Sequence, residues 1–360
     1  MTYETTYEAI HVHRQDITES RARKDLEART LEDGEVRIAI DRLGLSANNI
    51  SYAAAGDMLG YWAHFSTDPD WGVVPVWGFA TVIESRCRAI PDGEQIFGFL
   101  PMASQHIFRP ESVTNLCFAD ESVARASLHP WYRRLYRCAA DPAFTADREN
   151  AQLLLWALFM TGWMMAEDLA DGIETVYLSS ASSKTALALA WALKHSGRAI
   201  RTVGLTSPGN RAFVEALNVY STIATYDEQP LDQAAAPSAY VDFAGDGALR
   251  SELHVALGDQ LKDSVLIGAT HRAPADKPLP MPGPAPRFFF IPDVAEAQAK
   301  ALGLETYHGQ FARAWQGFAD WATAWLQIES EQGIAAIEAG YQSLITGDVA
   351  PRSGLVYQWG

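Results

Sequence analysis

Apolar and polar residues alternate where Val36, Ile38 and Ile40 stand against Arg37 and Asp41, the period of a half-buried strand. Further short strands are predicted at residues 8–12, 73–76, 80–85, 95–100 and 106–109, separated by Gly, Pro and Asp-Gly. That spacing predicts a small, barrel-like β domain. The rest of residues 1–35 is polar and is expected to lead into it along the surface. Residues 120–150 read as charged helix broken at His129-Pro130, and 151–168 as an apolar helix. Beyond it the beat changes: short apolar strands at 176–178, 200–205, 222–225, 240–243 and 265–268 alternate with helices at 211–217 and 253–261. Such alternation predicts a doubly wound parallel sheet covered on both faces. A Pro-rich loop at 273–286 precedes a last strand, 287–291, stopped by Pro292. Phe311, Trp315, Phe318, Ala322 and Trp325 recur at helical spacing, which predicts an amphipathic helix over 309–328. Residues 354–359 alternate and are expected to add an edge strand to the first domain. The expected organisation is α/β: a β-rich domain at 1–145, a parallel-sheet domain at 146–300 and a C-terminal return at 301–360.

The stretch 174–192, ETVYLSSASSKTALALAWA, reads as strand, tight turn and helix. The first N–H groups of such a helix point outward and suit a phosphate, or are capped by Ser and Thr. Ser180, Ser182, Ser183, Lys184 and Thr185 are therefore candidate cofactor contacts. A dinucleotide turn uses glycines so that the backbone can approach a pyrophosphate, yet no Gly stands between Gly172 and Gly197. Ser180, Ser183 and Ala186 occupy the small-residue positions of an AxxGxxG-like pattern. The Ser-Lys-Thr ending lacks the glycines of a P-loop, and a turn capped by its own serines is the plain structural alternative.

A net charge of −16 argues against binding a nucleic-acid backbone. Arg133, Arg134 and Arg137 are the densest basic group and are expected on a solvated helix face. Cys87, Cys117 and Cys138 lack the spacing of a disulfide framework or a zinc site, which points to a reducing compartment. Without a leader or an apolar span, the chain is expected to be cytoplasmic and away from membranes. Tyr61, Trp62 and Trp71 flank a loop with Asp57, His64, Asp68 and Asp70, where exposed aromatics would line a ligand pocket.

DGEVRIAIDRLGLSANNISYA, VVPVWGFATVIES, VYLSSASSKTALALA, VGLTSPGNRAFVEAL and YVDFAGDGALRSEL together resemble the medium-chain dehydrogenase/reductase superfamily. The similarity is to its zinc-free, quinone-oxidoreductase-like branch and to a bacterial subgroup described as a domain of unknown function. The resemblance implies a GroES-like β-rich domain plus a Rossmann-type doubly wound sheet. It implies an NADPH-dependent reductase of an α,β-unsaturated carbonyl or quinone-like small molecule, commonly a homodimer paired along its last strand. The superfamily's zinc-binding Cys and His positions look like Ser46 and Phe79, which cannot hold zinc.

No acid follows the second strand, where Thr206, Ser207, Asn210 and Arg211 stand, so NADP is favoured over NAD. Ala244 and Gly268 fall beyond strand ends, where ligands of open α/β sheets bind. For proton delivery to a developing enolate the candidates are His271, Tyr61, Tyr52 and Asn49, with His271 first. Two rival readings stay open: a lyase or hydrolase that binds no nucleotide because the turn is degenerate, and a non-catalytic binding protein.

Overall fold

The computed structural model describes residues 6–65, 67–122, 125, 128–228, 236–267 and 281–360. Two units divide the chain: Met1–Leu154, Glu296–Ala312 and Ala322–Gly360 form the first, Leu155–Ala295 and Arg313–Trp321 the second.

The first unit opens with β1 (Thr6–His13), β2 (Ser20–Glu27), β3 (Val36–Leu45) and α1 (Ala47–Ala54). It continues through β4 (Trp71–Gly72), β5 (Pro75–Ser85), β6 (Gln95–Pro101), β7 (Gln105–Phe108), β8 (Pro110–Glu111) and β9 (Cys117–Asp120). Next come α2 (Pro130–Arg133) and β10 (Arg134–Arg137). Helix α3 (Glu149–Asp168) then leads into the second unit, with β11 (Thr175–Leu178), α4 (Lys184–His195), β12 (Arg201–Thr206), α5 (Arg211–Ala216) and β13 (Thr222–Thr225). It is completed by β14 (Ser238–Asp242), α6 (Gly247–Leu257), β15 (Leu261–Leu266) and β16 (Arg287–Phe288). After α7 (Ile291–Leu302) and α8 (Leu304–Thr323), the chain adds β17 (Gln327–Gln332), α9 (Ile334–Thr346) and β18 (Ser353–Gln358) to the first unit.

In the first unit β2-β1-β4 form one small sheet, and β17-β18-β3-β5-β6-β10-β9-β8 run in order through a larger one, with β7 also paired to β3. Inward rings of Trp77, Phe79, Phe97 and Phe99 fill the space beneath it, with Phe79 and Phe97 centroids 4.9 Å apart. Three expectations are corrected here. The segment 120–150 is not one helix: Arg134–Arg137 is a strand between β6 and β9, and its arginines are partnered rather than solvated. Arg134 meets Glu296, Arg137 meets Glu94, and Arg133 meets Glu121, so charge pairing lets them sit in or beside a sheet. The last strand, β18, lies between β3 and β17 and is not an edge. Helix α8 ends at Thr323, and Gln327–Gln332 becomes the edge strand, all six residues exposed.

The second unit holds an all-parallel sheet in the order β13-β12-β11-β14-β15-β16. The order reverses between β11 and β14, which makes the C-terminal ends of these strands the topological switch point. Tyr177, Val203, Leu205 and Tyr240 pack against Leu249, Leu253 and Leu257 of α6 on one face. Helix α3 closes on α4 at Gly162, where a Cβ would come within 2.5 Å of the Leu189 backbone nitrogen. The predicted strand 287–291 is only two residues long: Ile291 already starts α7, because Pro292 fits the first turn of a helix where no N–H is needed.

Candidate functional site

At the switch point β11 ends in Leu178, and the chain turns through Ser179 and Ser180 into α4. Ser180 has φ 49°, the left-handed conformation that glycine usually supplies. Ser179 donates to Asp242 Oδ1 at 3.0 Å and accepts from the backbone N–H of Phe243 and Ala244 at 2.9 and 3.0 Å. Asp242 is fully buried; Gly245 donates to its Oδ1 at 2.9 Å and the Arg250 guanidinium to its Oδ2 at 2.6 Å. This lattice ties β11 to β14 and engages the N–H of Ala244.

The rest of the turn is held from β12 and β13. Gly204 lets Ala181 approach, since a Cβ there would lie 2.9 Å from the Ala181 Cβ, and Ala181 N–H donates to Leu205 O at 2.9 Å. Tyr226, just past β13, accepts at its hydroxyl from the Ser180 N–H at 3.0 Å. Ser183 caps α4 by accepting from Ala186 N–H at 3.3 Å, and Ser182 Oγ accepts from Asn210 at 3.1 Å. Lys184 and Thr185 stand half-buried in the first turn of α4, and burial pulls the Lys184 ammonium down to about 8.

Beyond β12, Thr206 is buried and its hydroxyl has no partner among the described residues, whereas Ser207 precedes the short 3-10 turn Pro208–Asn210 without a side-chain cap. Arg211 donates to Glu215 at 2.8 Å and, through one nitrogen, to both oxygens of Glu228 at 2.7 Å. The acid missing from the loop after the second strand is thus brought in from beyond the third. Gly268 and His271 lie outside the described residues.

In the first unit the proton-donor candidates gather around Phe99. Tyr61 and Tyr132 hydroxyls are 2.9 Å apart. Tyr52 packs on Tyr61 with centroids 4.6 Å apart, and His64 stands edge-on to Phe99 and Tyr132 at 5.0 and 5.2 Å. Burial pushes the Tyr52, Tyr61 and Tyr132 hydroxyls above their ordinary range and holds the His64 imidazole down at about 3, with Arg125 adding to the latter. Asn49 has a different role: its Oδ1 accepts from Ser46 N–H in a capping box and its Nδ2 donates to Pro75 O at 3.0 Å. Tyr61 and Trp62 are buried rather than exposed, because Trp62 fills the space left by Gly56 and Gly72. Asp57 and Asp68 of that loop pair with Arg14 and Arg21.

Sequence reasoning missed Ser179, Tyr226, Asp242 and Glu228 in the second unit and Tyr132 in the first. Ser179 and Asp242 were legible as polar residues ending apolar strands; Tyr226, 46 positions from Ser180, carried no local signal. Ser46 caps α1 and Phe79 packs on Phe97, and among the described residues no group of three His, Cys, Asp or Glu is placed to hold a metal ion. A Ser264–His254 contact of 2.8 Å, with His254 also bonded to Pro282 O, is fully buried.

A GroES-like β-rich unit and a Rossmann-type parallel sheet make up the fold. Solved structures agree in fold over nearly the whole chain. CurA from Vibrio vulnificus shares 14% identity over 99% of both chains, TM-score 0.62. A mutant enoyl thioester reductase from Candida tropicalis shares 9% over 98% of this chain and 99% of its own, TM-score 0.62. A probable oxidoreductase from Mycobacterium abscessus shares 11% over 98% and 99%, TM-score 0.58. No curated protein matches. The chain belongs to the family described as "Protein of unknown function (DUF2855)", which matches residues 43–350. No described helix is long and apolar enough to cross a membrane.

Proposed function

We propose that this chain is an NADPH-dependent, zinc-independent reductase of an α,β-unsaturated carbonyl or quinone-like small molecule. The observation that carries the reading is the left-handed Ser180 at the switch point, a serine in the backbone conformation of a dinucleotide-binding glycine. CurA from Vibrio vulnificus, which shares the fold, is also solved with NADPH. The residues fit a dinucleotide if Tyr226 releases the Ser180 N–H and Glu228 releases Arg211: Ser183 and Lys184 would then hold the pyrophosphate, and Ser207 and Arg211 the ribose side. When bound, a nicotinamide supplies hydride to the carbon conjugated with the carbonyl. This chain's own residues hold and deliver the proton. The Tyr61–Tyr132 hydroxyl pair, its tyrosines kept protonated by burial, is one store of it, and His271 is the other candidate donor.

One observation favours the rival reading of an enzyme, or a binding protein, without a nucleotide. Tyr226 and Ser183 already accept from two of the turn's N–H groups, those of Ser180 and Ala186. The two are separated by titrating NADPH against the intrinsic fluorescence of 11 tryptophans. The reductase reading expects quenching that Ser183→Leu abolishes with the fold retained. Turnover of substrate by protein stripped of nucleotide, with no NADPH consumed, would replace it by the lyase or hydrolase reading.

A further inference from the structure

The first unit contains a cavity of about 460 Å³ that the reductase reading does not use. That volume is in the range of small-molecule sites, about 300–1,000 Å³. Its walls come from β1 (His11), β7 (Gln105 and His106), β3 (Arg37) and the segments carrying His64 and Arg125. Among the described residues, four side-chain atoms of the lining residues are buried without a hydrogen-bond partner: His11 Nδ1, His64 Nδ1, Gln105 Oε1 and Arg125 Nε. Their side chains are not loose. Arg125 is 1% exposed, fixed by Asp120 at 3.1 Å, and its guanidinium lies 4.8 Å from the Phe65 ring. His106 is wedged edge-on between Phe65 and Phe108 at 5.1 and 4.8 Å. Unpaired buried polar groups are costly and scarce in folded proteins, so several at one cavity mark a place kept for a ligand.

Charge decides the ligand's class. Each guanidinium at the wall already faces its own carboxylate: Arg37 with Glu84, Arg29 with Glu35, Arg125 with Asp120. Glu27 adds one more acid, so the wall offers no surplus positive charge to an anion. The imidazoles add none either. Burial first, then neighbouring arginines, hold His11 down to about 4 and His64 and His106 to about 3. A neutral imidazole presents one donor and one acceptor. The ring edges of Phe65 and His106 favour a flat partner.

We propose that this cavity binds an uncharged, planar small molecule carrying an amide or carbonyl group, hydrogen-bonded by His11, His64 and Gln105 and packed beside Phe65. The site stands within the first unit and is independent of nucleotide binding at the serine turn. Benzamide, benzoate and benzamidinium are near-isosteric probes that are neutral, anionic and cationic. Calorimetry on the full chain without NADPH is expected to give benzamide an affinity about tenfold or more above either ion, reduced about tenfold by Gln105→Leu and by His64→Leu. His11→Phe, which keeps a ring in place, serves where His64→Leu fails to fold, and is expected to keep the packing while weakening the hydrogen-bonded probe. Preference for benzoate or benzamidinium, no binding of benzamide at about 10 mM, or binding untouched by the variants that fold would overturn the proposal.

Discussion

Tyr226 gives the Ser180 N–H its only described acceptor and sits with its hydroxyl at the switch point, near Asp242 and Asp246. If the turn receives a pyrophosphate, this hydroxyl competes with it. Tyr226→Phe keeps the ring packed on the sheet core but leaves the N–H free, so NADPH is expected to bind about three- to tenfold more tightly, corresponding to one neutral hydrogen bond of about 1 kcal/mol. An unchanged or weaker affinity by calorimetry would count against a dinucleotide on this turn. Lys184 adds a pH signature. Its ammonium is charged below about 8 and neutral above, so attraction for a phosphate is present on the acid side and fades as pH rises through that value. NADPH affinity is expected to fall between pH 7 and about 9 in the parent, and to be weaker and flatter over that range in Lys184→Met. Parallel profiles would remove Lys184 from the site. Ser180, Ser183 and Lys184 were legible as a hydroxyl-rich turn between strand and helix; the tyrosine competing with them was not, because only the sheet brings Tyr226 back to β11.

Strands β1 and β7, with the segment after α1, supply three histidines that burial keeps neutral. The folded values, about 4 for His11 and about 3 for His64 and His106, lie below the unfolded value of about 6.5. Above about 6.5 both states bind no proton and the full stability is present. As pH falls below it, the unfolded chain takes up protons that the folded one refuses, so stability drops down to the folded values. The midpoint of urea unfolding is therefore expected to fall between pH 7 and 5, and His64→Leu and His106→Phe are each expected to flatten the slope. A pH-independent midpoint over this window would show that these side chains titrate normally. The elements themselves divide by the same logic of environment. Period-two alternation marked β3, and apolar runs marked α3 and the parallel strands, which are buried on nearly every side. Residues 134–137 and 327–332 escaped because they are polar: their strand pairing comes from partners distant in sequence, with ion pairs covering the arginines.

At the scale of the whole molecule the two ends of its large sheets differ. β17 ends the first unit's sheet with six exposed residues, QIESEQ, the charged edge that discourages pairing. β16 ends the parallel sheet with Phe288 46% exposed, while Arg287 is anchored by Asp263 and Asp168. An apolar edge of this kind invites a second copy. A homodimer joined along β16 is the expected state in solution, and Phe288→Lys is expected to shift it toward monomer. Light scattering that returns a monomeric mass for the parent at micromolar concentration would refute it.

Local information was enough for a β-rich start, the alternation that makes a parallel sheet and the serine turn. These are properties of single positions and short periods, and side-chain size, branching and polarity decide them within a few residues. Tertiary structure alone decided which groups meet. It drew Glu228 onto Arg211, set Tyr226 on Ser180, made Asn49 a cap and a strand anchor, buried Tyr61 behind Trp62, and collected three histidines from separate segments around one cavity. Such contacts depend on the order in which strands pair and on what the core leaves unfilled, and neither is written in the neighbourhood of any one residue.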